Sequence, residues 1–527
     1  MVRILVTDGV ARAGVEALRQ EAEVDVSRRL DEAHLLECIG EYDGIVVRSS
    51  THVTACCIAQ AKRLKVIGRA GAGVDNIDVQ AATRQGIVVV NAPGGNSVAV
   101  AEHTIALLLC LARNIPQAHQ HVKSGGWERS KFMGTEVRSK TLGLFGLGRA
   151  GAEVAKRALG LGMHVIAYDP AVSPERVSGL GVMPAEPSEV LSKADFISLH
   201  VPVTPETVGL IGKESIALMK PGVRIINCSR GEVVDESALV EALRTGRVAA
   251  AALDVFDSEP LRPGHPLLEL DNVILTPHLG ASTHEAQVNV ALQTAAAVLA
   301  VLRGDPVTAA VNIPVPAAEE SKELAPFFPL AEVLGRFGAQ WSEGMIGRVH
   351  VAWRGRLGIL DTRPLLNYVL KGFLSPLLHE QVNAVNAPLL AKERGIRVSE
   401  LKAPDANDLP AEIMLTATTN RGERVVAGSL SARQEPRLVQ IDNYRIDVAP
   451  VSYMLVCPHV DQPGIIGMVG TILGKAGVNI SGMQVARRAR GGDAIMILGV
   501  DCPATLEAVT EIARVDGVLS VKQIYLR

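Results

Sequence analysis

At 527 residues the chain exceeds what one hydrophobic core organises, so three or four domains are expected. Its 48% hydrophobic content is that of a globular protein. A net charge of −3 gives no bulk signature of a nucleic-acid surface or a membrane-binding polybasic patch. No apolar run approaches the roughly 18–20 residues of a membrane span. The stretch from Met1 to Asp8 lacks a signal-peptide core and reads as a first strand. Seven cysteines, with no C-x-x-C pair and with Cys56 next to Cys57, argue against a disulfide or zinc framework and fit a reducing cytosol.

In chain order, residues 1–97 alternate short apolar runs (Arg3–Thr7, Gly44–Arg48, Lys65–Gly68, Ile87–Asn91) with helical patterns. That alternation predicts a parallel sheet covered by helices. Residues 98–285 repeat it, with a long helix at Val98–Arg113. Six strands follow, at Thr141–Phe145, His164–Tyr168, Asp195–Leu199, Arg224–Asn227, Ala250–Asp254 and Asn272–Thr276. Six such strands predict a doubly wound, Rossmann-type dinucleotide domain. The Ala-rich helix His284–Arg303 is expected to return to the first domain, which would then comprise 1–97 and 286–312. The Pro-rich break at 312–316 opens a 313–450 region of mixed helices and alternating strands, such as Arg424–Val426 and Leu438–Ile441. Residues 451–527 read as βαββαβ, a ferredoxin-like order. The fold class is α/β: two doubly wound parallel-sheet domains, then an α+β domain and a small ferredoxin-like domain.

Gly146-Leu147-Gly148-Arg149-Ala150-Gly151 lies between a strand pattern and a helix pattern. In that context the first glycine permits the turn and the second admits a pyrophosphate. The third lets helix and strand pack. Asp169, 18 residues beyond Gly151 and at the end of the next strand, suits the ribose hydroxyls and repels a 2′-phosphate, so NAD is favoured over NADP. Gly71-Ala72-Gly73-Val74-Asp75 also follows a strand, but Asp75 and Asn76 stand where a third glycine and a helix belong. It is expected to be a backbone loop facing the substrate.

Three polar groups follow three successive strands: Arg230, Glu259 and His278. Histidine is the natural base for a hydroxyl proton near neutral pH. A carboxylate at Glu259 would orient the ring, and Arg230 could hold a substrate carboxylate in a bidentate pair. Arg48 and Arg69, at strand ends facing the same cleft, suggest a doubly anionic ligand. Cys228 lacks the partners of a nucleophile. No metal site is expected.

These motifs, with Val47-Arg48-Ser49, Gly68 to Asn76, Asn96-Ser97, Trp127-Glu128-Arg129, Asn227 to Gly231, Ala252 to Phe256 and Pro277 to Thr283, resemble the D-isomer-specific 2-hydroxyacid dehydrogenase family in its long form. The resemblance implies oxidation of 3-phospho-D-glycerate to 3-phosphohydroxypyruvate with NAD, the first step of serine synthesis. It implies Arg230, Glu259 and His278 as catalytic residues. Cofactor contacts would fall on Gly146, Gly148, Arg149, Ala150, Gly151, Asp169, Cys228, Ser229, Arg230, Asp254, His278, Leu279, Gly280 and Ala281, with Asp254 meeting the nicotinamide amide. Substrate contacts would be Arg48, Ser49, Arg69, Gly71 and Asn96. Family members are commonly tetrameric, and the Trp127 loop, with Arg129 and Lys131, would reach a neighbouring subunit. Residues 453–527 resemble an ACT domain, which implies L-serine as a feedback effector at an interface, with His459, Asp461 and Asn479 as its contacts. Other activities on this scaffold are a hydroxypyruvate or glyoxylate reductase and an NADH-sensing corepressor. The ACT-like module and the two arginines favour the phosphorylated acid. Arg48→Ala is expected to raise KM for that acid more than it lowers kcat; steady-state kinetics showing an unchanged KM would contradict the assignment.

Overall fold

The computed structural model describes residues 2–526 except 29, 306, 308, 317 and 405–410. Among them the chain forms four sheets. The first contains β1 (Arg3–Val6), β2 (Glu23–Val26), β3 (Gly44–Val47), β4 (Val66–Arg69) and β5 (Val88–Asn91), all parallel, in the order β2-β1-β3-β4-β5. β3 is buried at every residue, as a strand covered by helices on both faces must be. β2 was not legible from the apolar pattern, because its sequence Glu-Val-Asp-Val is half polar and it occupies the sheet edge.

The second sheet contains β6 (Thr141–Phe145), β7 (His164–Tyr168), β8 (Met183–Pro184), β9 (Phe196–Leu199), β10 (Val223–Asn227), β11 (Val248–Leu253) and β12 (Val273–Leu275). Its order, β12-β11-β10-β9-β6-β7-β8, is doubly wound, with the direction of winding reversing at β6 and β9. It has seven strands where the sequence pattern suggested six. The additional one, β8, is a two-residue edge pair with no periodicity to read.

Helix His284–Arg303 returns to the first sheet and packs on β4 and β5. Gly68 allows this approach, since a Cβ there would lie 2.6 Å from Val298 and 2.8 Å from Thr294. The Thr294 hydroxyl donates to the carbonyl of Arg69 (3.2 Å), fixing the end of β4. Contrary to the run-by-run reading, this 20-residue helix is long and apolar enough by composition to cross a membrane. Here Val290, Ala291, Ala295 and Val298 are buried in the core of the first sheet.

The third sheet is β13 (Ile346–Arg354), β14 (Arg397–Ala403), β15 (Glu412–Thr419), β16 (Gly422–Leu430), β17 (Pro436–Ile441) and β18 (Tyr444–Val448), ordered β14-β13-β15-β16-β17-β18. Only β13 and β14 pair in parallel. The fourth is β19 (Tyr453–Val460), β20 (Ile480–Arg487), β21 (Asp493–Val500) and β22 (Lys522–Tyr525), antiparallel in the order β20-β21-β19-β22. With helices Ile465–Lys475 and Leu506–Ala513 this is the ferredoxin-like arrangement.

Candidate active site

The glycine-rich turn shows three separate steric demands. Gly146 has φ +92°, and a Cβ there would overlap the His200 carbonyl. A Cβ on Gly151 would overlap the Gly146 carbonyl, so the helix Arg149–Gly160 seats against the strand only with glycine. Around Gly148 there is nothing within 4 Å, which leaves the open face that a pyrophosphate requires. Asp169 accepts hydrogen bonds from the amides of Leu147 (2.7 Å) and Ala171 (2.9 Å), which fixes a carboxylate beside that turn. Open glycine face, helix N-terminus and fixed acid fit a dinucleotide with free ribose hydroxyls.

The catalytic candidates converge. His278 Nδ1 lies 2.8 Å from Glu259 Oε2, and Glu259 Oε1 accepts from the Phe256 amide (3.1 Å). A carboxylate only accepts, so the pairing places the proton on Nδ1 and leaves Nε2 as the basic nitrogen of the neutral ring. His278 has φ +54°, a conformation that costs a non-glycine residue about 1–3 kcal/mol and recurs at active sites. Its loop is held by Asp254, which accepts from the amides of Leu279 (2.7 Å) and Gly280 (2.8 Å) and from the Thr276 hydroxyl (2.6 Å). His103, in helix Ser97–Arg113, adds a fourth contact to Asp254 at 3.1 Å. Asp254 is 1% exposed, and these contacts hold its carboxyl below the usual range despite burial. Any contact with a nicotinamide amide therefore comes in addition to four hydrogen bonds. Bracing the loop is the role this geometry gives Asp254.

Arg230 is positioned by its turn. The Asn227 side chain donates to the Arg230 carbonyl (2.7 Å) and accepts from the Ser229 amide (3.0 Å). A Cβ on Gly231 would overlap the backbone of Phe256, so Arg230 lies against the segment that carries Glu259. Its Nη2 sits 3.0 Å from Asp75 Oδ2.

The Gly71–Asp75 segment is a loop, and its glycines have a steric purpose. A Cβ on Gly71 would overlap the Arg69 guanidinium, and one on Gly73 the Arg230 guanidinium. The two cations thus approach each other across the cleft between the first two sheets. Burial, followed by the nearby charge of Arg230, lowers the pKa of Arg69; Asp75 opposes the shift, and Arg48 adds to it. Arg69 Nε is buried with no hydrogen-bond partner. Guanidinium groups cannot shed their charge, so clustered cations and an orphaned donor call for an anion. Ser49 is exposed beside Arg48. Asn96 stands at the N-cap of helix Ser97–Arg113 without making a side-chain cap, which keeps its amide free of the helix.

Other groups are excluded by their surroundings. Burial pushes the Cys228 thiol up to about 12, so it is not a nucleophile. Burial holds His200 down to about 4, leaving it neutral at physiological pH. His103, Cys228 and Asp254 have metal-like spacing, with ligand atoms within 4.8 Å of one another. Their donors are committed to the loop and to a protonated thiol. No sequence motif marks His103, and the sequence places Asp75 in the loop after β4 without pointing to its contact with Arg230. His103 sits in an apolar helix 151 residues from its partner Asp254, and no local pattern links them.

The ACT-like region corrects one expectation. His459 is 2% exposed and its Nδ1 lies 3.0 Å from the Cys457 carbonyl, so it faces the core and cannot meet an effector. Asp461 contacts Arg487 (3.0 Å), at the far end of β20, whereas Asn479 precedes β20 and donates to Asp501 (2.7 Å). The two ends of β20 are roughly 23 Å apart at about 3.3 Å per residue. Asp461 and Asn479 do not converge within one chain.

Residues 105–280 match the model of the D-isomer specific 2-hydroxyacid dehydrogenase NAD binding domain, and 323–442 that of the D-3-phosphoglycerate dehydrogenase intervening domain. A D-3-phosphoglycerate dehydrogenase of Synechocystis sp. is 48% identical over 519 residues, covering 98% of this chain and 94% of that protein. The chain belongs to the D-isomer specific 2-hydroxyacid dehydrogenase family. A relative of the same name from Archaeoglobus fulgidus is 44% identical over the full length of both proteins. The crystal structure of the TT0316 protein from Thermus thermophilus superposes with a TM-score of 0.55 at 37% identity, covering 59% of this chain and all of that one. The protein is an NAD-dependent oxidoreductase.

Gly148→Ala is expected to weaken NADH binding while leaving thermal stability nearly unchanged, because its Cβ enters ligand space. Gly146→Ala and Gly151→Ala should lower the melting temperature, because theirs meet backbone. Fluorescence titration paired with thermal unfolding reads both effects.

Proposed function

We propose that this protein oxidises 3-phospho-D-glycerate to 3-phosphohydroxypyruvate, with NAD reduced to NADH, as the first step of serine synthesis. The observation that carries this reading is the cationic cluster of Arg48, Arg69 and Arg230 beside the His278–Glu259 pair. A plain 2-hydroxy acid offers one anionic group, which Arg230 alone can hold. A phosphorylated acid offers a second, which the Arg48 and Arg69 side of the cleft can hold. That charge pattern favours the phosphorylated acid over hydroxypyruvate or glyoxylate, and no observation favours a corepressor.

Bound NAD supplies the hydride acceptor. Its pyrophosphate would rest on the Gly148 face and the helix N-terminus, and its adenosine ribose on Asp169. Arg230 clamps the substrate carboxylate, exchanging its contact with Asp75 for the ligand. His278 Nε2 takes the C2 hydroxyl proton as the carbon–hydrogen bond breaks. Glu259 holds the ring and stabilises the imidazolium that results. In reverse the same nitrogen returns the proton.

The exposed Trp127 and Met133, 77% and 82% accessible, support an oligomer in which that loop meets a second copy, with a tetramer as the assembly. L-serine is the proposed effector. Because Asp461 and Asn479 stand at opposite ends of β20, its site would draw one residue from each of two copies. All seven cysteines are free, which suits the cytosol.

NADH formation from 3-phosphoglycerate tests the function directly. Wild-type protein is expected to turn over the phosphorylated acid with a higher kcat/KM than D-glycerate, and His278→Asn to lose roughly 10²–10⁴-fold in kcat. Equal use of both acids would refute the substrate, and an active His278→Asn would refute the base. Adding L-serine to the same assay should inhibit; undiminished activity at millimolar serine would leave the ACT-like domain without that role.

A further inference from the structure

The turn that carries Arg48 is clamped from two sides by residues with no assigned role. Asp8 follows β1 with φ +64°. Its Oδ2 accepts from the backbone amides of both Arg48 (3.0 Å) and Thr51 (2.9 Å), and its Oδ1 accepts from the Thr51 hydroxyl (2.7 Å). From the other side the Asn76 side-chain amide donates to the carbonyls of Arg48 and Thr51, each at 2.6 Å. Every one of these bonds falls on the two ends of the turn. Thr51 is 1% exposed, while Ser49 and Ser50 between the clamped ends are exposed.

We propose that Asp8 and Asn76 are positioning residues that preset the Arg48–Thr51 turn to receive the phosphate of the substrate, and so determine selectivity for the phosphorylated acid. The proposal rests on the substrate reading above. Asp8 acts on amides and Asn76 on carbonyls, so together they fix the peptide planes on either side of Arg48 and on either side of Thr51. The Arg48 side chain and the Ser49–Ser50 segment are thereby aimed without ordering at the moment of binding, and less affinity is lost to entropy. Asn76 also explains why Gly71–Asp75 ends as it does: an amide is needed where a nucleotide-binding turn would begin its helix. Asp8 further places a negative charge near Arg69, holding the cationic cluster together when no ligand is bound.

Clamps of this kind also serve stability, so the test must read selectivity. Steady-state kcat and KM are measured with NADH for 3-phosphohydroxypyruvate and for hydroxypyruvate, in the wild type, Asp8→Ala, Asp8→Asn and Asn76→Ala. The alanine variants should raise KM for the phosphorylated acid about tenfold, with a smaller change in kcat. Their preference for it over hydroxypyruvate should fall about tenfold. Asp8→Asn keeps an acceptor oxygen and should fall between; it also carries the test if Asp8→Ala is recovered unfolded. Equal losses on both acids would make the clamp merely structural and overturn the proposal, as would an unchanged preference. A wild type with no preference would overturn the substrate reading and this proposal together, whereas a wild-type preference that survives in all variants overturns the clamp alone.

Discussion

The contact between His278 and Glu259 is the constraint on which the site depends. It fixes which ring nitrogen is free, and the rest of the local structure serves to hold it. Glu259 is anchored by the Phe256 amide, and Gly231 lets the Arg230 segment lie against that same backbone. His278 sits in left-handed backbone that would relax if the loop were free. Asp254 prevents this by accepting two loop amides from beneath. Three strand ends, β10, β11 and β12, are neighbours in the sheet, so their three polar residues meet without any long-range accident of folding.

A second organising feature is charge held against repulsion. The chain as a whole is close to neutral, yet Arg48, Arg69 and Arg230 crowd one cleft. The loop glycines make the crowding sterically possible, and Asp8 and Asp75 make it electrostatically tolerable. A ligand with two anionic groups relieves both the repulsion and the unsatisfied Arg69 donor. On the proposed reading, discrimination comes from Arg48 and Arg69 on the first sheet, and the carboxylate clamp and proton transfer from Arg230 and His278 on the second. The cleft between them is where the two functions join.

Much of this was legible in the sequence where the physics is local. Gly146, Gly148 and Gly151 are separated by a few residues, and each steric demand follows from strand, turn and helix in succession. Arg230, Glu259 and His278 could be placed because each follows a recognisable strand. Contacts between distant segments carried no pattern: Asp8 with Arg48 and Thr51, or His103 with Asp254. Edge strands β2 and β8 were missed because one is half polar and the other spans two residues. His459 was misplaced although a signal existed. It alternates with Leu455 and Cys457 on one face of β19, and both are buried in the core under the helices.

The most direct test is a crystal structure of the ternary complex with NAD and 3-phosphoglycerate. The account predicts the substrate's C2 oxygen within hydrogen-bond reach of His278 Nε2, roughly 2.6–3.2 Å, its carboxylate on Arg230 and its phosphate on the Arg48 turn. A substrate lying with its phosphate on Arg230, or with its C2 oxygen beyond reach of His278, would contradict it.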